Sequence, residues 1–265
     1  MVKLPDLYLD PERVVVTAHR GCSGRFPENT MIAFREAASM QVDFIEFDLR
    51  GSQERIPIVL HDATLERTAN APGKPGDYTL AELRRLNASC WVGPHDQGRK
   101  RAIPALPEAP IPTFEEVLAE VPPAVGLNIQ VYETDKPLLE EICRLYHAYD
   151  LYERGYLSVS SYRDARRVRE LNDDIELCVL EHQGRMGRAA LAQQRDFGLR
   201  YVQPLRSDVD EAFCRTAREL GLRANMFYAN TAEHCREYLA YGIRGVLTDF
   251  PEIARKTAQE MGLRT

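Results

Sequence analysis

What most restricts this chain's fold is an alternation that runs almost from end to end. Short runs rich in β-branched residues, suited to a pleated and buried position, are each followed by a stretch with helical spacing. The first run is Arg13–Ala18. A helix is predicted over about Thr30–Met40, with Met31, Phe34 and Ala38 along one side. Strands are predicted at Asp43–Leu49 and, short and apolar, at Ile56–Leu60. After a break, Thr113 and Glu116 form a capping box that opens a helix over Phe114–Glu120. Strand and helix then alternate: Val125–Val131 with Lys136–Ala148, Tyr156–Ser160 with Arg163–Leu171, and Ile175–Leu180 with Arg185–Arg195. Leu199–Gln203 with Asp208–Leu220, Leu222–Phe227 with Thr231–Tyr241, and Gly245–Thr248 with Glu252–Glu260 complete the series.

With Ile56–Leu60 as a short accessory to the second strand, the chain holds about eight strand–helix units. Such alternation builds βαβ units and a parallel sheet. About eight units in roughly 250 residues is the size of an α/β protein of the (β/α)8 or TIM barrel class. A doubly wound open sheet is the alternative. The turn after the first strand, His19-Arg-Gly-Cys-Ser-Gly24, lacks the glycine spacing that such a sheet usually shows there. No internal repeat is visible. The break from about 63 to 110 is rich in proline and glycine and carries the basic run Arg99–Arg101, read as a solvated loop. It reads as a small loop-rich insertion after the second strand region, with one helix opening at Thr79 on a capping box with Glu82. One barrel domain over 1–265 is expected.

Composition removes several classes. The 265 residues are 44% hydrophobic and 28% charged, too apolar for disorder. No stretch approaches the roughly 20 apolar residues of a spanning helix, so no integral membrane association is expected. The opening MVKLPDLYLDPERVVV is broken by charges and does not read as a secretory signal. Cys22, Cys90, Cys143, Cys178, Cys214 and Cys235 are scattered without Cys-x-x-Cys spacing, as expected of reduced thiols in a cytoplasmic protein. The net charge of −6 argues against nucleic acid as partner. It leaves room for a small phosphate-bearing substrate, because a local pocket can be basic on an acidic protein. Oligomeric state is not legible.

In a barrel the active site lies at the C-terminal ends of the strands. The polar residues there are His19 and Arg20; Glu46 and Asp48; His61 and Asp62; Asn128, Gln130 and Tyr132; and Thr248 and Asp249. Period-two alternation puts Glu46 and Asp48 on one face. Two such carboxylates repel unless a cation lies between them, and oxygen ligands suit Mg²⁺, Mn²⁺ or Ca²⁺. An acidic edge facing solvent is the plain alternative. Histidines at two other strand ends favour the site: they supply an acid and a base to flank a metal-bound phosphate.

The motifs His19-Arg-Gly21, Pro27-Glu-Asn-Thr30 with Ala33-Phe34, Glu46-Phe-Asp48 and His61-Asp62-x-x-Leu65-x-Arg67-Thr68 occur in this order. Ile111-Pro-Thr-Phe-Glu-Glu-Val-Leu118, Ser158-Val-Ser-Ser161 and Gly245-Val-Leu-Thr-Asp249 with Pro251 follow. Together they strongly resemble the glycerophosphodiester phosphodiesterase family, over nearly the whole chain and most specifically in its first half. The resemblance implies a (β/α)8 barrel with a small insertion in the 63–110 region, Trp91 included. It implies His19 and His61 as general acid and base, and Glu46 and Asp48 as ligands of a divalent metal ion. Arg20 corresponds to an arginine near the phosphate, where a guanidinium can grip two oxygens at once. Glu28 and Asn29 fall in a turn beside the site, as substrate-binding candidates. Asn29 and Thr30 are equally N-cap residues by type, and Thr30 is the better cap.

The third strand departs from the family. Where Asn-x-Glu-x-Lys is usual, this chain has Asn128-Ile-Gln130-Val-Tyr132. Gln130 keeps an amide oxygen that can coordinate a hard cation, but brings no charge. Tyr132 donates a hydrogen bond, not a positive charge. Glu133 replaces the missing carboxylate only if the strand bulges or ends early. Phe227 or Tyr228 is expected on the leaving-group side. His182 is a weaker candidate for the site mouth, His95 lies in the insertion, and His147 and His234 are read as surface or packing residues.

The expected activity is hydrolysis of a glycerophosphodiester to glycerol phosphate and an alcohol. Lipid and glycerol metabolism are the implied setting. The nucleophile is water or the substrate's own 2-hydroxyl, and the sequence does not choose. A barrel that binds phosphodiesters without turnover, and a phosphodiesterase for a sugar or other headgroup, remain as alternatives. Retention of both histidines, Arg20, Glu46 and Asp48 weighs against the first.

Overall fold

The computed structural model describes residues 3, 6–95 and 97–265. The strands are β1 (Val15–His19), β2 (Phe44–Gly51), β3 (Pro57–Val59), β4 (Trp91–Val92), β5 (Arg99–Lys100), β6 (Gly126–Val131), β7 (Gly155–Val159), β8 (Leu177–Val179), β9 (Tyr201–Val202), β10 (Arg223–Phe227) and β11 (Gly245–Thr248). The helices are α1 (Met31–Ser39), α2 (Leu80–Leu83), α3 (Phe114–Glu120), α4 (Lys136–Ala148), α5 (Tyr162–Leu171), α6 (Arg188–Asp196), α7 (Glu211–Glu219), α8 (Ala232–Tyr241) and α9 (Pro251–Glu260). Eight strands are parallel and follow the order β8-β7-β6-β2-β1-β11-β10-β9. Strands β8 and β9 lie against each other at the seam, so the sheet curls into a nearly closed TIM barrel with helices outside. As expected, β3 stands off the barrel path and pairs antiparallel with β2.

Alternation along the strands explains why they read as both apolar and polar. Val14, Val16 and Ala18 of β1 and its approach, with Ile45, Phe47 and Leu49 of β2, pack outward into the core under the helices. Phe47 lies between Phe34 of α1 and Phe114 of α3, with ring centroids 5.7 and 5.9 Å away. Inward residues form layers. The floor is aromatic: Phe44, Tyr156 and Tyr201 pack with Leu7 and Val15, and the Tyr156 and Tyr201 rings stack at 4.7 Å. Above it lies a belt of hydrogen-bonded polar groups. Asn225 donates to Thr17, Asn128 donates to Gln203, and Ser158 donates to Asn128. Most buried polar groups are paired in this way. The next inward positions, His19, Glu46, Asp48 and Gln130, form the rim.

Helix starts follow their caps. The Thr30 hydroxyl caps α1, and the capping boxes at Thr79 and Thr113 open α2 and α3. The insertion has a small core of its own, in which Leu65, Leu83 and Ile111 pack on Ile58 and Leu60. It also contains a hairpin of β4 and β5 that the sequence reading, which expected one helix among loops, did not place. Strands of two residues are too short for alternation to show. Arg99 and Lys100 are exposed, as expected of that basic run. All six cysteines are buried and unpaired. Among the described residues no helix is long and apolar enough to cross a membrane.

Candidate active site

Backbone geometry at the end of β1 sets the first group. Gly21 has φ +76°, and a Cβ there would lie 2.7 Å from the Ala33 backbone. Only glycine fits that close approach, which folds the chain back over His19. Arg20 and Asn29 also hold left-handed backbone, at φ +54° and +57°. Such strain, of order 1 kcal/mol or more per residue, persists where contacts fix it. Here the Arg20 amide donates to Glu46 Oε2 at 3.0 Å, and the Asn29 amide donates to the Arg20 carbonyl at 3.1 Å.

His19 is held by a carboxylate. Its Nδ1 donates to Asp249 Oδ1 at 2.6 Å. Asp249, at the end of β11, also accepts from Ser23 Oγ at 2.8 Å and from the Asn230 amide. Burial alone would raise the Asp249 carboxyl, but the His19 charge and these donors outweigh it and hold it at about 2. The arrangement fixes the His19 tautomer and turns Nε2 toward Glu46 Oε2, 3.9 Å away.

His61 repeats the device. Its Nδ1 donates to Asp62 Oδ1 at 2.7 Å, and Arg67 grips Asp62 through Nε at 2.6 Å and Nη2 at 2.8 Å. Burial opposes ionisation of Asp62, yet His61 and Arg67 hold its carboxyl well below the usual carboxylate range. Arg67 also donates to both oxygens of Glu28, at 2.6 and 2.7 Å, and Arg20 Nη1 donates to Glu28 Oε1 at 2.8 Å. These guanidiniums overcome the burial of Glu28 and pull its carboxyl down to about 2. Glu28 thus anchors the two arginines from behind.

Glu46 and Asp48 are both about 1% exposed; Arg20 Nε lies 3.3 Å from Asp48 Oδ2, and the Arg20 backbone amide binds Glu46. Asn29 Nδ2 donates to the same Asp48 oxygen at 2.8 Å, so Asn29 serves the acid pair while Thr30 caps the helix. Burial, then the charges of Asp48 and Asp249, push the Glu46 carboxyl well above the usual range. The pair is short of positive charge, which a divalent cation would supply. Gln130 is in register with Asp48 across β2 and β6, which directs its amide to the same face. The donor set therefore fits a hard cation. Nδ1 or Nε2 of His61 and His95 and a carboxylate oxygen of Asp62 lie within 4.8 Å of one another. Asp62 is already committed to Arg67 and His61, so the acid pair is the better cation site.

The remaining predicted residues line the rim. Phe227 is 5.1 Å from His19 and Tyr132 is 5.3 Å from His61, between ring centroids. Glu133 lies 2.9 Å from Arg55 and 3.6 Å from Arg50, paired with arginines rather than with Glu46 and Asp48. His182 is half-buried and hydrogen-bonds Gln193 at 3.1 Å, outside this cluster. His147 and His234 contact Tyr152 and Arg206, in keeping with packing roles. His95, given little weight from its place in the insertion, lies 5.2 Å from His61 between ring centroids and 3.7 Å from Asp62. The sequence assigns no role to Asp249 and Asp62, which it places at strand ends, nor to Arg67 and Ser23. Their role depends on contacts across up to 230 positions of sequence.

Residues 19–253 match the glycerophosphoryl diester phosphodiesterase family. The chain belongs to that family, one of phosphoric diester hydrolases. The Bacillus subtilis protein YhdW is 30% identical over 245 residues, 91% of this chain and 96% of that protein. A Bacillus subtilis glycerophosphodiester phosphodiesterase is 28% identical, over 94% of this chain and 87% of that one. Among solved structures, an Oleispira antarctica phosphodiesterase in complex with the product sn-glycerol-3-phosphate superposes with a TM-score of 0.77. It covers 92% of this chain and 96% of its own at 23% identity, a likeness of fold.

Proposed function

We propose that the protein hydrolyses glycerophosphodiesters to glycerol phosphate and an alcohol, with His19 and His61 exchanging protons at a site that takes a divalent cation. The observation that carries this reading is the pair of carboxylate-backed imidazoles, His19–Asp249 and His61–Asp62, at the rim that holds Glu46 and Asp48. Each Nδ1 is committed to a carboxylate, which leaves each Nε2 for the substrate. One Nε2 takes the proton of the attacking hydroxyl, of water or of the substrate's own glycerol, as the new P–O bond forms; in the second case water then opens the cyclic phosphate. The other, protonated, delivers its proton to the departing alkoxide as the old P–O bond breaks. Asp249 and Asp62 stabilise the imidazolium at each stage. A cation held by Glu46, Asp48 and Gln130 would draw electron density from a phosphoryl oxygen. The nearby relatives' names and the glycerol phosphate bound in the Oleispira protein support the substrate class.

The test is release of glycerol phosphate from a panel of glycerophosphodiesters with Mg²⁺, Mn²⁺ or Ca²⁺ and with chelator, on wild type, His19→Ala and His61→Ala. Chelator-sensitive turnover, lost in both variants, is the expected result. Near-wild-type turnover in either variant would remove that histidine's role. Turnover that chelator leaves intact would remove the cation.

A further inference from the structure

A phosphodiester carries a negative charge, and the two arginines deepest in the site also hold buried carboxylates. Arg20 donates to Glu28 through Nη1, while its Nε lies 3.3 Å from Asp48 without a hydrogen bond; Arg67 is bound to Glu28 and Asp62. Arg50 is differently placed. It follows Glu46 and Asp48 at the next position of the same face of β2. Its guanidinium lies over the Tyr132 ring, 4.6 Å from the centroid, and Nε donates to the His61 carbonyl at 2.9 Å. Its nearest carboxylate, Glu133, is 3.6 Å from Nη1 and is shared with Arg55 at 2.9 Å. Arg50 is thus positioned beside His61 by a ring face and a carbonyl, and its charge is only partly offset, because Glu133 is shared with Arg55. Its side chain is 12% exposed, so a solute can reach it.

We infer that Arg50, laid on Tyr132, is a further residue that meets the substrate's anionic phosphodiester, with the Tyr132 hydroxyl as a neutral donor beside it. The inference rests on the proposed phosphodiesterase reading and supplies its phosphate contact. Tyr132 has two uses in this arrangement: it shelves the guanidinium and it shapes the wall next to His61. A lysine in place of Arg50 keeps the charge but loses the planar stack and the paired donors.

The test reads kcat and KM on a glycerophosphodiester, together with calorimetric binding of sn-glycerol 3-phosphate and of inorganic phosphate. The proteins are wild type, Arg50→Ala, Arg50→Lys and the double variant Arg50→Ala/Tyr132→Lys, each checked for folding by circular dichroism. Loss of a charge-assisted contact predicts a fall of roughly 10–100-fold in kcat/KM and in ligand affinity for Arg50→Ala. Arg50→Lys is expected to be intermediate. The double variant, which returns a cation from the neighbouring strand, is expected to recover part of the loss, whereas a merely structural role of Arg50 gives no recovery. Full turnover and unchanged ligand affinity in folded Arg50→Ala would overturn this inference and leave the proposed function standing. Wild type that binds glycerol phosphate without turnover, with binding weakened in Arg50→Ala, would overturn the function and leave the contact. Wild type that neither turns over the diester nor binds either ligand would overturn both.

Discussion

Replacing Glu28 with glutamine removes one buried charge and leaves the shape of the side chain almost unchanged. In the structure that carboxylate accepts three hydrogen bonds, one from Arg20 and two from Arg67. Its carboxyl is pulled from an ordinary 4.5 down to about 2. A depression of that size corresponds to roughly 3 kcal/mol of charge-dependent stability. The folded-state pKa is the lower one, so this stability is complete above the unfolded-state value and is lost as pH falls toward the folded-state value. Glu28→Gln is therefore expected to be about 3 kcal/mol less stable than wild type near neutral pH, or about 6–12 °C lower in Tm. The gap should shrink below about pH 4.5 and reach less than half its size near about pH 3. Urea unfolding followed by circular dichroism, on both proteins from neutral pH to the lowest pH at which both stay folded, reads it directly. A gap that stays constant or widens on acidification refutes the assignment of this stability to the Glu28 charge.

Other outcomes follow from the same contacts. Asp249→Asn removes the charge behind His19 and is expected to lower kcat by about 100-fold or more, with the fold intact by circular dichroism. A loss under about threefold would mean the dyad is only structural. Gln130→Glu restores a third carboxylate beside Asp48 and is expected to tighten Mn²⁺ binding by roughly tenfold in calorimetry; unchanged affinity would exclude Gln130 as a ligand. Phe47→Ala opens a hole between Phe34 and Phe114 and should cost about 3–5 kcal/mol in urea unfolding. A cost under about 1 kcal/mol would show that α1 and α3 close over the gap.

The eightfold alternation and the capped helix starts were legible in the sequence because they are local. A strand shows in a few β-branched residues, and Thr113 with Glu116 marks the start of α3 within four positions. That His19, His61, Glu46 and Asp48 lie at one end of the strands was legible too, since each stands near a strand end beside a short motif. What the chain order could not show is which groups serve which. Asp249 reaches His19 only because β11 lies next to β1 in the closed sheet, and Arg67 joins Asp62 to Glu28 only because the insertion folds back over the β1 turn. His95 comes against His61 by the same folding. β2, which carries Arg50, and β6, which Tyr132 follows, had to be laid side by side to bring a guanidinium onto a ring. Local sequence sets which elements form, through backbone preference and side-chain period. Charge pairing acts through space, so the protonation and orientation of the site's groups were decided when the barrel brought distant residues within hydrogen-bonding distance.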